Sequence, residues 1–308
     1  MSRIVLCSLG VLCALTLNID ADAAPTGQIV AWGDSSYGLY PVPAGVFSDV
    51  ETGTYSNLAL RPDGTLAAWG DNRFGQSSAP SGTFKDIGVG WTYSTALRTD
   101  GTIAVWGETA YYSLDAVPAG SFTAISAGDY HAVAMRSDGT LATWGWNLNG
   151  QLNGLPGGQF AAVSAGAYHS LALRGNGQLV GWGNNDWGQL DIPPGQYQAA
   201  AAGGLFSLAI RADGTLAAWG SNGDGQLNVP AGTFKAIAAG SHHALAMRSD
   251  GTVLGWGWNA FGQANSPNGS FLTIAAGHGQ NVALTPEPIC VAPLLGMMAL
   301  LLRRRRAS

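Results

Sequence analysis

The sequence is poor in charge, and its cysteines stand only near the two ends. Charged residues make up 11% of the 308 positions, against about 25% in an average soluble domain. Cys7, Cys13 and Cys290 are the three cysteines, so residues 24–285 contain none. That excludes a disulfide, a thiolate metal site and a thiol nucleophile from this region. The same stretch has nine Lys and Arg against sixteen Asp and Glu, a balance of −7. A mildly acidic region without a basic stripe argues against nucleic acid as a partner. Helical patterning is missing too, because no segment repeats apolar residues with a 3.6-residue period over a helix length. No Gly-x-Ser-x-Gly elbow, local Ser-His-acid grouping or Gly-rich phosphate loop with a following Lys-Ser/Thr occurs. The expectation is a protein that is not an enzyme and carries neither cofactor nor metal.

Glycine is abundant, 45 of 308, and it is periodic. A Trp-Gly pair recurs at Trp32, Trp69, Trp106, Trp144, Trp182, Trp219 and Trp256, spaced by 37, 37, 38, 38, 37 and 37 residues. A fixed period in this range signals a repeat architecture. Residues 215–251 illustrate one unit. Thr215 to Trp219 reads as a strand closed by Gly220, and a polar loop rich in Gly and Pro follows to Gly232. Phe234 to Ala239 and Ala244 to Arg248 are two further short strands. Asp250-Gly251 then turns the chain into the next Trp-Gly strand. Asp-Gly between strand-like runs is a hairpin signal, because these residues tolerate the backbone geometry of a tight turn. The equivalents are Asp63-Gly64, Asp100-Gly101, Asp138-Gly139, Asn176-Gly177 and Asp213-Gly214. One aspartate per turn cannot supply the six to eight oxygens of a calcium site, so these are structural turns.

Three or four short strands per unit, seven units and no helix predict an all-β, seven-bladed β-propeller. Small Ala-Gly steps at Ala127-Gly128, Ala165-Gly166, Ala202-Gly203, Ala239-Gly240 and Ala276-Gly277 suit innermost strands that crowd the axis. The seven tryptophans are expected between blades, as core. The array starts with a lone Trp-Gly strand, Gln28 to Gly33. It ends with Phe271 to Gly277 and Asn281 to Leu284, which lack one. The first strand is therefore expected to complete the last blade, leaving no open sheet edge.

The stretch Ala165 to Gln189, Ala-Gly-x-x-His-x-Leu-Ala-Leu-Arg-x-x-Gly-x-Leu-x-x-Trp-Gly-x-Asn-x-x-Gly-Gln, resembles the repeat of the regulator of chromosome condensation family. The resemblance covers residues 28–285 and implies the seven-bladed propeller. The short units are most similar to compact bacterial members typified by the propeller-type β-lactamase inhibitory protein. Uniform repeats, without an inserted wedge or a basic tail in residues 24–285, give no ground for nucleotide-exchange activity. What the resemblance implies is a rigid scaffold whose loops bind another macromolecule.

Both ends read as targeting segments. Residues 1–23 carry Arg3, an apolar run from Ile4 to Leu17 and a small-x-small Ala21-Asp22-Ala23 step, which reads as a secretory signal peptide. At the other end Pro286-Glu287-Pro288 precedes an apolar run, Ile289 to Leu302, and Arg303 to Arg306. Fourteen helical residues span about 21 Å, short of the ~30 Å hydrocarbon core. The order of these parts in residues 286–308 resembles the PEP-CTERM sorting signal of Gram-negative bacteria. It implies transient inner-membrane association through 289–302, processing by an exosortase-type enzyme, and a cell-surface or secreted product. A permanent single-span tail anchor is the alternative.

Three sets of residues inside the repeats are candidates for function. His131, His169 and His243 share one repeat position with Ser56, Tyr93, Phe206 and Gln280, which favours packing and hydrogen bonding within a blade over metal binding. Arg61, Arg98, Arg136, Arg174, Arg211 and Arg248 occur once per unit, which favours a contact near the hairpin turn over an anion site. The loops between Trp-Gly and the recurring Gly-Gln are variable and aromatic: Tyr37, Tyr40, Phe74, Tyr111, Tyr112, Trp146, Trp187, Trp258 and Phe261. Equivalent loops of a propeller emerge on one face, and clustered aromatics are enriched at binding hot spots. These nine residues form the candidate recognition face, with Asp186, Asp191 and Asp224 as polar additions. The expected ligand is a protein, with a carbohydrate or extracellular matrix as the alternative and a polysaccharide-acting enzyme third.

Overall fold

The computed structural model describes residues 25–286. The expected signal peptide, residues 1–23, and the expected sorting signal from Glu287 onward lie outside the described residues. The 21 strands, β1 to β21 in chain order, form seven three-stranded antiparallel sheets. Each sheet is one blade of a seven-bladed β-propeller. The blade of β2 (Asp49–Thr52), β3 (Ser56–Leu60) and β4 (Leu66–Gly70) shows the pattern. The small-residue strand is innermost, the histidine-position strand lies in the middle, and the Trp-Gly strand is outermost. Asp-Gly turns link middle and outer strands on one face. Loops after Trp-Gly leave the other.

The ring closes as the termini required. β1 (Gly27–Gly33) pairs antiparallel with β21 (Gln280–Pro286), from Gly27 opposite Pro286 to Gly33 opposite Gln280. β20 (Thr273–Ala276) is the inner strand of that composite blade, and it packs beside β2 of the first. Strand pairing thus includes Pro286, the first proline of the expected sorting motif.

Tryptophan joins the blades. Each of the seven Trp-Gly indoles donates its Nε1–H to a main-chain carbonyl in the loop of the preceding blade, as Trp32 to Gln263, Trp106 to Gln76, Trp182 to Gln151, Trp219 to Gln189 and Trp256 to Gln226. Trp69 and Trp144 use Leu39 and Leu114, where Gly-Gln is absent. Five of the seven rings are at most 8% exposed, with Trp106 and Trp256 part-buried. The glutamine side chains fold the loops themselves, as at Gln189, where Oε1 accepts the amide of Trp187.

Glycine sets the radius at the axis. A Cβ built on Gly53, Gly90, Gly128, Gly166, Gly203, Gly240 or Gly277 would fall within 3.0 Å of the carbonyl oxygen of the next glycine, and the circle ends with Gly277 against Gly53. Only a residue without a side chain allows seven inner strands to approach this closely.

Candidate recognition face

The histidine position is buried and bridges blades rather than staying within one. His131 Nε2 lies 2.7 Å from Ser170 Oγ, His169 Nε2 2.8 Å from Ser207 Oγ, and His243 Nε2 2.7 Å from Asn281 Oδ1. Each partner sits on the middle strand of the following blade. Tyr93, at the same position, donates to the carbonyls of Gly128 and His131. Gln280 donates to Thr52 Oγ1 across the closure. The side chain covers the axial glycine of its own blade and has only the neighbouring blade left to contact. Burial holds His131 and His169 down at about 3 and His243 at about 4, so all three are neutral struts. Among the described residues no group of three or more His, Cys, Asp or Glu is arranged to hold a metal ion.

The arginine ring belongs to the opposite face. Arg61 and Arg136 donate to the carbonyls of Leu66 and Leu141, and Arg174 donates to Gly157. Each guanidinium also lies over an aromatic ring that precedes or opens an inner strand, from 4.5 Å for Arg174 on Phe160 to 5.9 Å for Arg136 on Phe122. The sequence pointed to an aspartate or a carbonyl near the hairpin turn; the fold shows carbonyls and adds the aromatic partner. The turn aspartates accept from the residue two positions on, as Asp213 does from Thr215 N and Oγ1.

The nine loop aromatics all leave from the Trp-Gly ends, yet they are not one patch. Tyr111 at 78%, Trp187 at 58%, Tyr40 at 53%, Phe261 at 48% and Phe74 at 47% are the most exposed, with Tyr37 next. Tyr112, Trp146 and Trp258 are half-buried. Tyr111, Tyr112 and Trp146 form one group, with ring centroids 4.8 and 6.1 Å apart. Phe74 and Tyr111 flank a groove of about 400 Å³ that also contains Arg73 and Glu108. Trp258 and Phe261 pack edge to face at 5.2 Å on another sector. Tyr40 turns its hydroxyl back to the carbonyl of Ala31. Of the polar additions, Asp186 and Asp191 accept from Asn184 and Asn185 within their loop, while Asp224 pairs with His242 at 3.1 Å.

What joins the first group is a set of residues that sequence reading passed over. The short hairpins between inner and middle strands surround the mouth of the channel, and their tips supply Tyr55, Trp91, Tyr130 and Tyr168. Tyr37 lies tilted against Tyr55 at 4.2 Å, Tyr55 meets Trp91 at 6.3 Å, Trp91 meets Tyr130 at 5.2 Å, and Tyr130 stacks on Tyr168 at 5.6 Å. Tyr130 also touches Tyr112 and Trp146. Tyr37, Tyr111, Tyr112, Trp146 and the channel mouth are therefore one continuous aromatic surface. The signal was present one residue before the histidine position, at Tyr55, Tyr130, Tyr168 and His242. These tips enclose a basin of about 290 Å³, with Asp129 among its lining residues. Burial pushes the Asp129 carboxyl up to about 6, although Thr54 donates to it at 3.4 Å.

A scaffold of this geometry defines a class, the closed propeller of short glycine-rich repeats. The Regulator of chromosome condensation (RCC1) repeat matches the chain at residues 47–76, 122–151, 160–189, 198–226 and 234–263. The fold is similar to that of Prp20p from Saccharomyces cerevisiae, whose structure was described with its binding to Gsp1p and histones. That likeness has a TM-score of 0.72 at 16% identity, over 92% of this chain and 96% of the other. Human WBSCR16 is similar at a TM-score of 0.70 and 18% identity, over 85% and 100% of the two chains. The ectodomain of the Physcomitrella patens receptor kinase CR4 gives 0.65 and 19%, over 75% and 70%. No curated protein sequence matches the chain. At these identities the structures speak for the fold alone.

Proposed function

We propose that this protein is an exported, non-catalytic propeller scaffold that binds another protein through the aromatic face described above. The observation that carries the reading is the unbroken chain of ring contacts from Tyr37 to Trp146 and Tyr168, with Tyr111 standing out from it. Aromatics on a rigid support offer large contact area at low entropic cost, the composition of interface hot spots. Repeat propellers that bind proteins, as the description of Prp20p says of that protein, agree with this reading. So does the likeness of the short units to compact bacterial propellers. Export rests on the signal peptide and on the PEP-CTERM-like tail, which would hand the chain to an exosortase-type enzyme. The same rings would stack on sugar faces, so a matrix polysaccharide is the second ligand class.

The test is capture of exported and surface proteins, with a glycan array in parallel. The protein is compared with a Tyr37→Ala, Phe74→Ala, Tyr111→Ala variant, which removes three exposed rings of that face. The expected result is a saturable protein ligand lost in the variant at an unchanged melting temperature. Glycans bound in place of protein would replace the leading reading by the second. Equal capture by both forms would remove the aromatic face as the site.

A further inference from the structure

We propose that the basin at the channel mouth binds one organic cation, the ammonium or guanidinium end of a basic side chain presented by a protein partner. The proposal rests on the protein-binding reading and says what the centre of that face recognises.

Asp129 is the one acid lining the basin among the described residues. Asp129 is half-buried at the tip of a hairpin, and its carboxylate is met by the Thr54 hydroxyl at 3.4 Å from a blade two places away. The repeat does not demand an acid there. The equivalent positions hold Thr54, Trp91, Ala167, Gly204, Ser241 and His278. No lysine or arginine lines the basin among the described residues. A desolvated carboxylate without a cation is unfavourable, and burial raises its pKa accordingly. A positive group seated above it would restore the ionised form.

The walls suit the same ligand. Tyr55, Trp91, Tyr130 and Tyr168 follow one another around one side of the basin, with successive ring planes turned by 47°, 76° and 29°. Aromatic faces attract ammonium and guanidinium groups, and tryptophan does so most strongly. The other side carries Ala167 and Gly204, small residues that leave room for the cation and its aliphatic stem. The −7 balance of residues 24–285 adds attraction at longer range.

The pH response follows from the groups that face Asp129. They are Thr54, Tyr93 and Tyr130 beside it, and His242 (paired with Asp224) and His278 across the basin. As pH falls through about 6, Asp129 gains a proton. Protonation of His278, held below its ordinary value by burial, acts in the same direction, so binding of a cation weakens in acid.

The experiment is calorimetric titration of the full chain at low salt. The probes are tetramethylammonium, a short peptide with one central lysine, its arginine form, and its acetyl-lysine form as the neutral counterpart. Saturable binding of the charged probes is expected, with the acetylated peptide at least about tenfold weaker. The lysine and arginine peptides rank the two cation types. Asp129→Asn, nearly isosteric, is expected to weaken the charged probes about tenfold at an unchanged melting temperature. Trp91→Leu gives a second, independent variant that should weaken them as well. Equal binding of acetylated and free lysine, wild-type affinity in Asp129→Asn, or no saturable binding of any charged probe would each overturn the proposal. If the partner protein is captured normally by Asp129→Asn but lost with the outer-ring variant, the cation site fails and the aromatic face stands. If capture survives both, both readings fail.

Discussion

Gly166 shows how little room a single position leaves at the axis. Its Cβ would collide with the carbonyl of Gly203, with Ala202 close behind, in a part of the ring where no flexible side chain can yield. Gly166→Ala is therefore expected to cost about 1–3 kcal/mol, the range for overpacking a core. Gly223, on a loop with open space around it, is the control, and Gly223→Ala should leave the denaturant midpoint unchanged. Equal midpoints for both variants would contradict the axial ring. Sequence reading had marked these Ala-Gly steps as innermost from residue size alone. It had no means of seeing that each glycine faces the next around a closed circle. The histidines were similarly half legible. A position shared with Phe and Gln spoke against a metal, but the partner in the next blade depended on the angle between blades.

At the scale of elements, β1 carries the most consequence per residue. It supplies the outer strand of the last blade, and it places Trp32 Nε1 3.0 Å from the Gln263 carbonyl. Removing residues 24–34 would strip one edge of β21 and open the seam between the first and last sequence units. An exposed, unpaired edge is a template for aggregation. We expect the truncated chain to lose cooperative thermal unfolding by circular dichroism. A truncation that melts as the parent does would refute closure through β1. Strand order was legible here because a lone Trp-Gly strand at the start and a missing one at the end complement each other. The register shifts near Phe84, Phe122 and Tyr197 were not legible. A bulge answers to the twist of the finished blade, and the repeat pattern runs through it unchanged.

Across the whole molecule, buried titratable groups set the dependence of stability on pH. His131, His169 and His243 are held far below their ordinary 6.5. Below about pH 6.5 the unfolded chain takes up three protons that the fold refuses, so stability is lost as pH falls toward 4. Glu51 and Asp129 act in the opposite direction. Burial raises both, with Asp49 and Asp86 adding to the effect at Glu51. Their contribution is present in acid and is lost as pH rises through their folded values. The histidines outnumber them, so the net slope between pH 6 and 4 follows the histidines. His131→Gln copies the residue that fills this position at Gln280. It should flatten the slope by about 1.4 kcal/mol per pH unit, read from denaturant midpoints at several pH values. An unchanged slope would mean that His131 is not the buried neutral group the fold makes it.

The sequence by itself determined the all-β class, the seven blades, the turns and the place of the tryptophans. Each of these follows from local chemistry repeated at a fixed period: Asp-Gly tolerates a tight turn, short apolar runs between turns make strands, and a large apolar ring must be buried somewhere in every unit. The tertiary structure alone decided what the units make together. It placed Tyr55, Trp91, Tyr130 and Tyr168, four hairpin tips from four repeats, around one basin with Asp129 in it. It also separated Trp258 and Phe261 from the Tyr111, Tyr112 and Trp146 group. Residues about 37 positions apart become neighbours only when the ring closes, because the angle between blades, set by the axial glycines and the packed tryptophans, is a property of the assembled circle.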